Sequence, residues 1–454
     1  MSAVIGVDIG SSAIKAILYG LDNGRIRANP RIITSELQSR IATSPNRFEE
    51  DPILLRDQVF EAIQRLAIIA SESRQTITGI AFTGQMHGGL LVDSELNPRT
   101  NIITWQDKRG DEIALGGKTY VELLRESVQP DPTGVGIHTG FLAATLYWLV
   151  KQDAMPRAAT AVLGIHDWLT SILLGRAVTD ITSAAAWGMY DIITQEWKQD
   201  VISAIGIEHN LLPEIAEPGT DLGPIAKNIA DRLGLPLDAR IHAGIGDTQA
   251  SYLGSGCSMD EILLNFGTGS QSMWEIQSGG PVATEGTDIR YLLGGRYIVT
   301  VPTLAGGKAY QIVANFFRDV LREFTNSEIE LSKIYPIMDD LARRSNSNGI
   351  VLDPIFSGSK FRNELERASI VGLTPANFTS GSLIRSLVEG MIEEISRPYF
   401  VREGRLRHSG LVGAGNGLRN NAALREVAER RFGLPLRLSE YEEEAALGAA
   451  MLAV

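Results

Sequence analysis

Two short stretches of this chain share one grammar. "VDIGSSAIKAIL" at 7–18 can be laid against "LNFGTGSQSMWEI" at 264–276, so that Asp8 faces Asn265, Gly10 faces Gly267 and Ser11 faces Thr268. Each follows an apolar strand, turns through Gly and small hydroxyl residues, and runs into a second extended segment. An offset of about 257 residues in a chain of 454 implies two related domains facing each other, expected at 1–254 and 255–454. The bland alternative is that short Gly/Ser/Thr turns recur by chance.

Around these stretches, short apolar runs alternate with helical patterns, the signature of an α/β protein. Strands are expected at Val4–Val7, Ile14–Tyr19, Ile77–Phe82, Leu90–Asp93, Ile241–Ile245, Ile262–Phe266, Tyr297–Val301 and Gly410–Val412. Three- and four-residue apolar spacing predicts helices over Pro52–Ile69, Leu142–Gln152, Asp167–Leu174, Tyr310–Phe324, Leu383–Ile395, Asn421–Phe432 and Glu442–Leu452. The Pro- and Gly-rich stretch Glu208–Pro236 reads as surface connection with a short helix inside it, and "FEEDP" at 48–52 as a helix start favouring acids.

A net charge of −12 argues against nucleic acid as a partner. One cysteine, Cys257, allows no internal disulfide. The longest apolar run, Phe141–Val150, is too short to cross a bilayer, and the first residues lack a signal-peptide pattern. A soluble cytoplasmic protein, monomer or homodimer, is the expectation.

A Gly/Ser turn between strands brings backbone N–H groups close to whatever lies above it, and hydroxyls add donors. Such a turn suits phosphate, but an acid beside it repels phosphate unless a divalent cation intervenes. Mg²⁺ takes one or two carboxylates and keeps several waters. One reading is therefore that Asp8 holds Mg²⁺, through water, while Gly10, Ser11, Ser12 and Lys15 receive a nucleotide's phosphates. The other is a tight hairpin in which Asp and Gly merely form the turn. A second acid, Asp247 in "HAGIGDTQAS", ends the expected strand Ile241–Ile245 where α/β proteins place ligands. It is a general base for an attacking hydroxyl or a plain helix cap. No Walker loop occurs, and "GAGNG" at 413–417 lacks the dinucleotide spacing.

Taken together, "GVDIGSSAIKA", "TGQMHGGLLVD", "ITWQDKRG", "GDTQAS", "NFGTGS", "GLVGAGNGLRNN" and "AALGAAM", with "GLTPANFTSGSLIRSLVEGM" at 372–391, make the chain resemble the FGGY family of carbohydrate kinases along its whole length. That resemblance implies two tandem actin-like, RNase H-like α/β domains with ATP and sugar bound in a cleft between them. Within the family, "TGFLAATLYWL", "IHDWL", "SAAAWG" and "LLPEIAEPG" resemble the members acting on sedoheptulose, with xylulose or another ketose as the alternative. An actin- or Hsp70-like nucleotide switch is the rival from another class.

Carried over residue by residue, the resemblance makes Asp8 the metal-linked acid and Ser11, Ser12 and Lys15 phosphate contacts. It places Gln85, Met86 and His87 at the sugar, with Asp247 as the base. Thr248 stands where relatives often carry a longer Asn or Gln. Gly267 and Thr268 match the second phosphate turn and Gly306 a glycine near the phosphates, while Tyr310 replaces a polar residue. Gly413, Ala414, Gly415, Asn416 and Asn420 match the adenosine segment. For His87, a donor to sugar hydroxyls and a structural histidine both stand. Trp105, Asp107 and Arg109 either border the sugar or form a packed Trp with an ion pair; Trp187 invites the same two readings, and Met86 is also plain core filler.

Overall fold

In the computed structural model, the described residues are 1–22, 25–26, 30–114, 116–267, 269–277, 280–356, 358 and 366–454. They divide into two compact units. Unit 1 comprises Met1–Gly254, Arg290–Tyr297 and Glu443–Val454; unit 2 comprises Ser255–Ile289 and Ile298–Glu442. The chain's last helix thus joins the first unit, not the 255–454 segment that sequence offset alone marks off.

In unit 1, β1 (Ser2–Ile9), β2 (Ala13–Asp22), β3 (Arg31–Glu36), β4 (Thr76–Gly84), β5 (Asp221–Pro224) and β6 (Arg240–His242) form a sheet in the order β5–β6–β4–β1–β2–β3, and β7 (Ile245–Gly246) also pairs with β4. The β1–β2 and β2–β3 pairs are antiparallel, and β4 runs parallel to both β1 and β6. Side chains alternate across a strand, so β1 has two unlike faces. Ala3, Ile5, Val7 and Ile9 share a core with Leu55, Val59, Ile63 and Leu66 of helix α1 (Pro52–Glu72). The intervening residues look the other way. There a Cβ on Gly6 would stand 2.1 Å from the Ala446 carbonyl of the C-terminal helix Glu444–Met451. The same parity puts Asp8, and Lys15 opposite it in register, on that second face.

Unit 2 repeats the arrangement. Strands β8 (Glu261–Phe266), β9 (Ser270–Glu275), β10 (Tyr297–Thr303), β11 (Gly410–Ala414) and β12 (Leu436–Leu438) run in the order β10–β9–β8–β11–β12. Again the central strand of the first three, β9, is antiparallel to both its neighbours, and the last two continue in parallel from β8. Its main helix, Ser380–Glu403, is capped by the Thr379 hydroxyl and buries Ile384, Leu387, Val388, Met391 and Ile395. Asn265 pairs with Gln271 and Ala414, as Asp8 pairs with Lys15 and Thr83. The two similar stretches therefore hold equivalent places in two sheets of one topology.

Three expectations need correction. The strand Ile241–Ile245 is split, because the Ala243 backbone bonds Gly219 and Thr220 instead of β4. The segment 208–236 contributes strands as well as a helix, including the edge strand β5. In "FEEDP" only Asp51 caps α1, accepting from the N–H groups of Ile53 and Leu54. Glu49 and Glu50 belong to the strand Arg47–Glu50 and turn inward to Arg109 and Gln85.

Candidate active site

The first turn is tight: Gly10 N–H donates to Ala13 O at 3.0 Å. Asp8, just before it, has an oxygen (Oδ1) that is buried and without a hydrogen-bond partner among the described residues. Burial, joined by the negative charge of Asp247, pushes its carboxyl up to about 7. Lys15 carries its ammonium to Glu443, 2.5 Å away at the N-terminus of the last helix. Ser11 is part-buried and Ser12 exposed. A buried, unpartnered carboxylate oxygen next to a second acid is a fit for a hydrated divalent cation, and Asp8 is the residue that would hold it.

β4 delivers the next segment from the neighbouring strand. Gln85 N–H donates to Ile9 O at 2.9 Å, and its amide nitrogen donates to Glu50 Oε1 at 3.1 Å. Burial raises the Glu50 pKa despite that bond and the Ser39 hydroxyl. Met86 is buried. His87 has φ 76°, a conformation non-glycine residues adopt rarely and retain where surroundings enforce it. Its ring stacks on Phe141, centroids 4.1 Å apart, and Nδ1 donates to Ala186 O at 2.7 Å. The bond to a carbonyl fixes the proton on Nδ1.

The "TWQDKRG" residues separate. Trp105 is exposed at the surface. Asp107 is fully enclosed: Oδ1 accepts from the Arg109 N–H and Nε at 2.9 and 2.7 Å, and Oδ2 from Phe48 N–H and Arg109 Nη2 at 3.0 and 3.1 Å. Its carboxylate has no acceptor capacity left over. Arg109 also meets Glu49 at 2.5 Å and lies over the Trp148 ring. This pair locks a loop, and it is enclosed where a surface ion pair was one expectation. Trp187 is likewise buried, its ring 6.1 Å from that of Trp197 in a stacked pair.

Asp247 opens helix α2 (Asp247–Gly254) directly after β7. Burial raises its pKa against the Thr248 N–H, the Arg290 charge and the Thr248 hydroxyl, which stands 3.3 Å from Oδ1. Electrostatic coupling between Asp8 and Asp247 runs within unit 1, because β1 parity and the helix start bring both to one face.

In unit 2, Thr268 lies outside the described residues. Its neighbours Gly267 and Gly269 do not, and Gly267 O accepts from Gly307 N–H at 3.0 Å. Gly306 caps the helix Gly307–Thr325, and a Cβ there would stand 2.3 Å from the Gly269 carbonyl carbon. Only glycine lets this helix start seat on the turn, and a helix start attracts anions. Gly415 has φ 77°, with a Cβ position 2.6 Å from Phe266 O, so "GAGNG" is pressed against the end of β8. Gly413 and Ala414 are buried in β11, while Asn416 and Asn420 are exposed. Tyr310 donates to Asp339 at 2.5 Å, beside Asn421.

Residues 3–254, more than half of the chain, match the N-terminal domain of the FGGY family of carbohydrate kinases. The chain belongs to this family. Among FGGY relatives it is similar to human sedoheptulokinase, 24% identical over 99% of this chain and 96% of the relative. It is also similar to the xylulose kinase of Bacillus subtilis (strain 168), 26% identical over 100% and 88%. The solved xylulose kinase from Rhodospirillum rubrum superposes with a TM-score of 0.86 at 23% identity, covering 99% of this chain and 89% of that one. The duplicated sheet of this FGGY chain is accordingly the pair of actin-like ATPase domains. No described helix is long and apolar enough to cross a membrane.

Missing from the sequence reading were Glu50 behind Gln85, Glu443 on Lys15 and the buried acids Asp167 and Asp180 around His166. Glu50 and Glu443 meet partners far away in the chain, and Asp180 meets His166 across two elements, so local pattern offers no signal for those contacts.

Proposed function

We propose that the chain is an ATP-dependent ketose kinase, transferring the γ-phosphoryl group to a terminal primary hydroxyl, with sedoheptulose as first acceptor. The observation that carries this reading is the pair Asp8 and Asp247: two part-buried acids in unit 1, at the ends of strands that both pair with β4, with the Asp247 charge helping to raise the Asp8 pKa. Buried like charges divide roles, one serving a cation and the other a proton. Asp247, its pKa raised by burial, accepts the hydroxyl proton; the freed oxygen bonds to the γ-phosphorus while the bond to the ADP oxygen breaks. Mg²⁺, when bound, spreads the charge of the phosphates, and Asp8 is its holder.

Gln85, held by Glu50, and His87, held by Phe141 and Ala186, offer fixed polar groups to sugar hydroxyls. In unit 1 the glycine turn at 10–12 and Lys15 are assigned to phosphate; in unit 2 Gly267 and the helix start at Gly306 are assigned to phosphate, and Gly413–Asn416 and Asn420 to adenosine. The sedoheptulose preference rests on the four stretches named above and on the sedoheptulokinase relative; the xylulose kinase likeness makes xylulose the second candidate.

ADP release with sedoheptulose, xylulose, ribulose, fructose and no sugar tests the proposal. We expect turnover that requires a ketose and is greatest with sedoheptulose. ATP hydrolysis indifferent to sugar would favour the nucleotide switch; a sugar-dependent rate greatest with xylulose would move the acceptor.

A further inference from the structure

Behind Asp247 lies a buried polar cluster that the proposed chemistry does not use. Asp180 is 1% exposed and caps the helix Ile181–Ala186. Its Oδ1 accepts from the N–H groups of Thr182 and Ser183 at 2.7 and 3.2 Å, and from the Thr182 hydroxyl. Its Oδ2 accepts from His166 Nε2 and the Ser183 hydroxyl, each at 3.0 Å. Asp167 lies in the same group, its Oδ1 3.7 Å from His166 Nε2.

The Thr182 oxygen, turned by its own bond to Asp180, accepts the Gly246 N–H at 2.8 Å. Gly246 is the residue before Asp247. The strand that delivers Asp247 is gripped elsewhere too. A Cβ at Gly244 would stand 2.9 Å from the His166 ring, and one at Gly246 only 2.5 Å from Met86 Sδ.

Burying two acids and a histidine is a poor way to stabilise a core, since apolar residues of similar volume often do as well or better. What such a network supplies is fixed direction. Each acceptor of Asp180 is committed, so the Thr182 oxygen can present a lone pair only toward Gly246. We propose that Asp180 and Thr182, backed by His166, are positioning residues that set the backbone at Gly246 and so aim the Asp247 carboxylate. This rests on the reading of Asp247 as the base.

The test compares Thr182→Val, Thr182→Ala and Thr182→Ser with Asp247→Asn, by steady-state kinetics with ATP and the most active ketose of the panel. Rates are expressed per folded molecule. A base displaced by about 1 Å loses on the order of 10²-fold. We expect Thr182→Val to lower kcat about 10- to 100-fold with both KM values within about twofold, and Thr182→Ser to restore most of it. In the Asp247→Asn background, Thr182→Val should cost nothing more. Should the valine fail to fold, Thr182→Ala carries the same comparison. Full kcat in the valine or alanine variant, with Asp247→Asn inactive, overturns the positioning proposal alone. So does a serine variant as slow as the valine. Full activity of Asp247→Asn overturns the base assignment and the proposal with it.

Discussion

Asp8 and Lys15 face each other across the β1–β2 ladder, yet the lysine gives its ammonium to Glu443 and leaves Asp8 Oδ1 buried without a hydrogen-bond partner among the described residues. Salt-bridging Asp8 would have been the simpler use of that lysine. A cradle closed by β2 and the last helix results instead, with a carboxylate whose charge is answered incompletely by its own chain.

That relationship has a pH signature. The Asp8 pKa is raised from its ordinary 3.8 to about 7, by burial first and the Asp247 charge next. The folded state therefore binds this proton more tightly than the unfolded chain. Stability from it is complete below about 3.8 and is lost as pH rises through about 7. Asp8→Asn, which cannot ionise, is expected to be more stable than the parent at pH 8 by up to ~4 kcal/mol, the gap closing toward pH 4. Denaturant unfolding in chelator-treated buffer measures it, and Mg²⁺ should narrow the gap at pH 8. Equal stabilities at pH 8 would sink the assignment.

Asp247→Asn keeps the size of the side chain and removes the proton acceptor. Turnover should fall by about 10²–10⁴-fold, with ketose affinity by calorimetry near that of the parent. Retained turnover would end the role of Asp247 as base.

Asp107→Asn separates scaffold from sugar contact. Because its oxygens satisfy Arg109 and Phe48 inside the protein, the substitution leaves Arg109 partly unmatched. A loss of about 3–5 kcal/mol in unfolding free energy is expected. A stable variant with a raised sugar KM would instead return Asp107 to the sugar site.

Gly306→Ala sets a methyl against the Gly269 backbone. The turn or the helix start must shift, at about 1–3 kcal/mol in stability. We expect the KM for ATP to rise about tenfold, corresponding to ~1.4 kcal/mol, with the sugar KM little changed. An effect on sugar alone would contradict the phosphate role of this turn.

Sequence alone determined the alternation of strands and helices, the repeat of strand–turn–strand and the acids that end β1 and β7. Those are local facts, carried by side-chain periodicity and by Gly, Ser and Asp at bends. It also determined the helix at 142–151 to within a residue, because a run of apolar and small residues from Leu142 to Val150 has to be buried. Tertiary structure decided what each polar group does. Asp107 and Glu50 are enclosed because Arg109 folds back over the one and Gln85, at the end of β4, reaches the other. Asp180 meets Thr182 within its own helix cap, but it meets His166 only because the helix Ile165–Leu174 packs beside that cap. The last helix returns to unit 1 because Gly6 and Gly448 leave room for its backbone and for α2. Burial and long-range pairing set the charge and direction of a side chain, and neither is a property of neighbours along the chain.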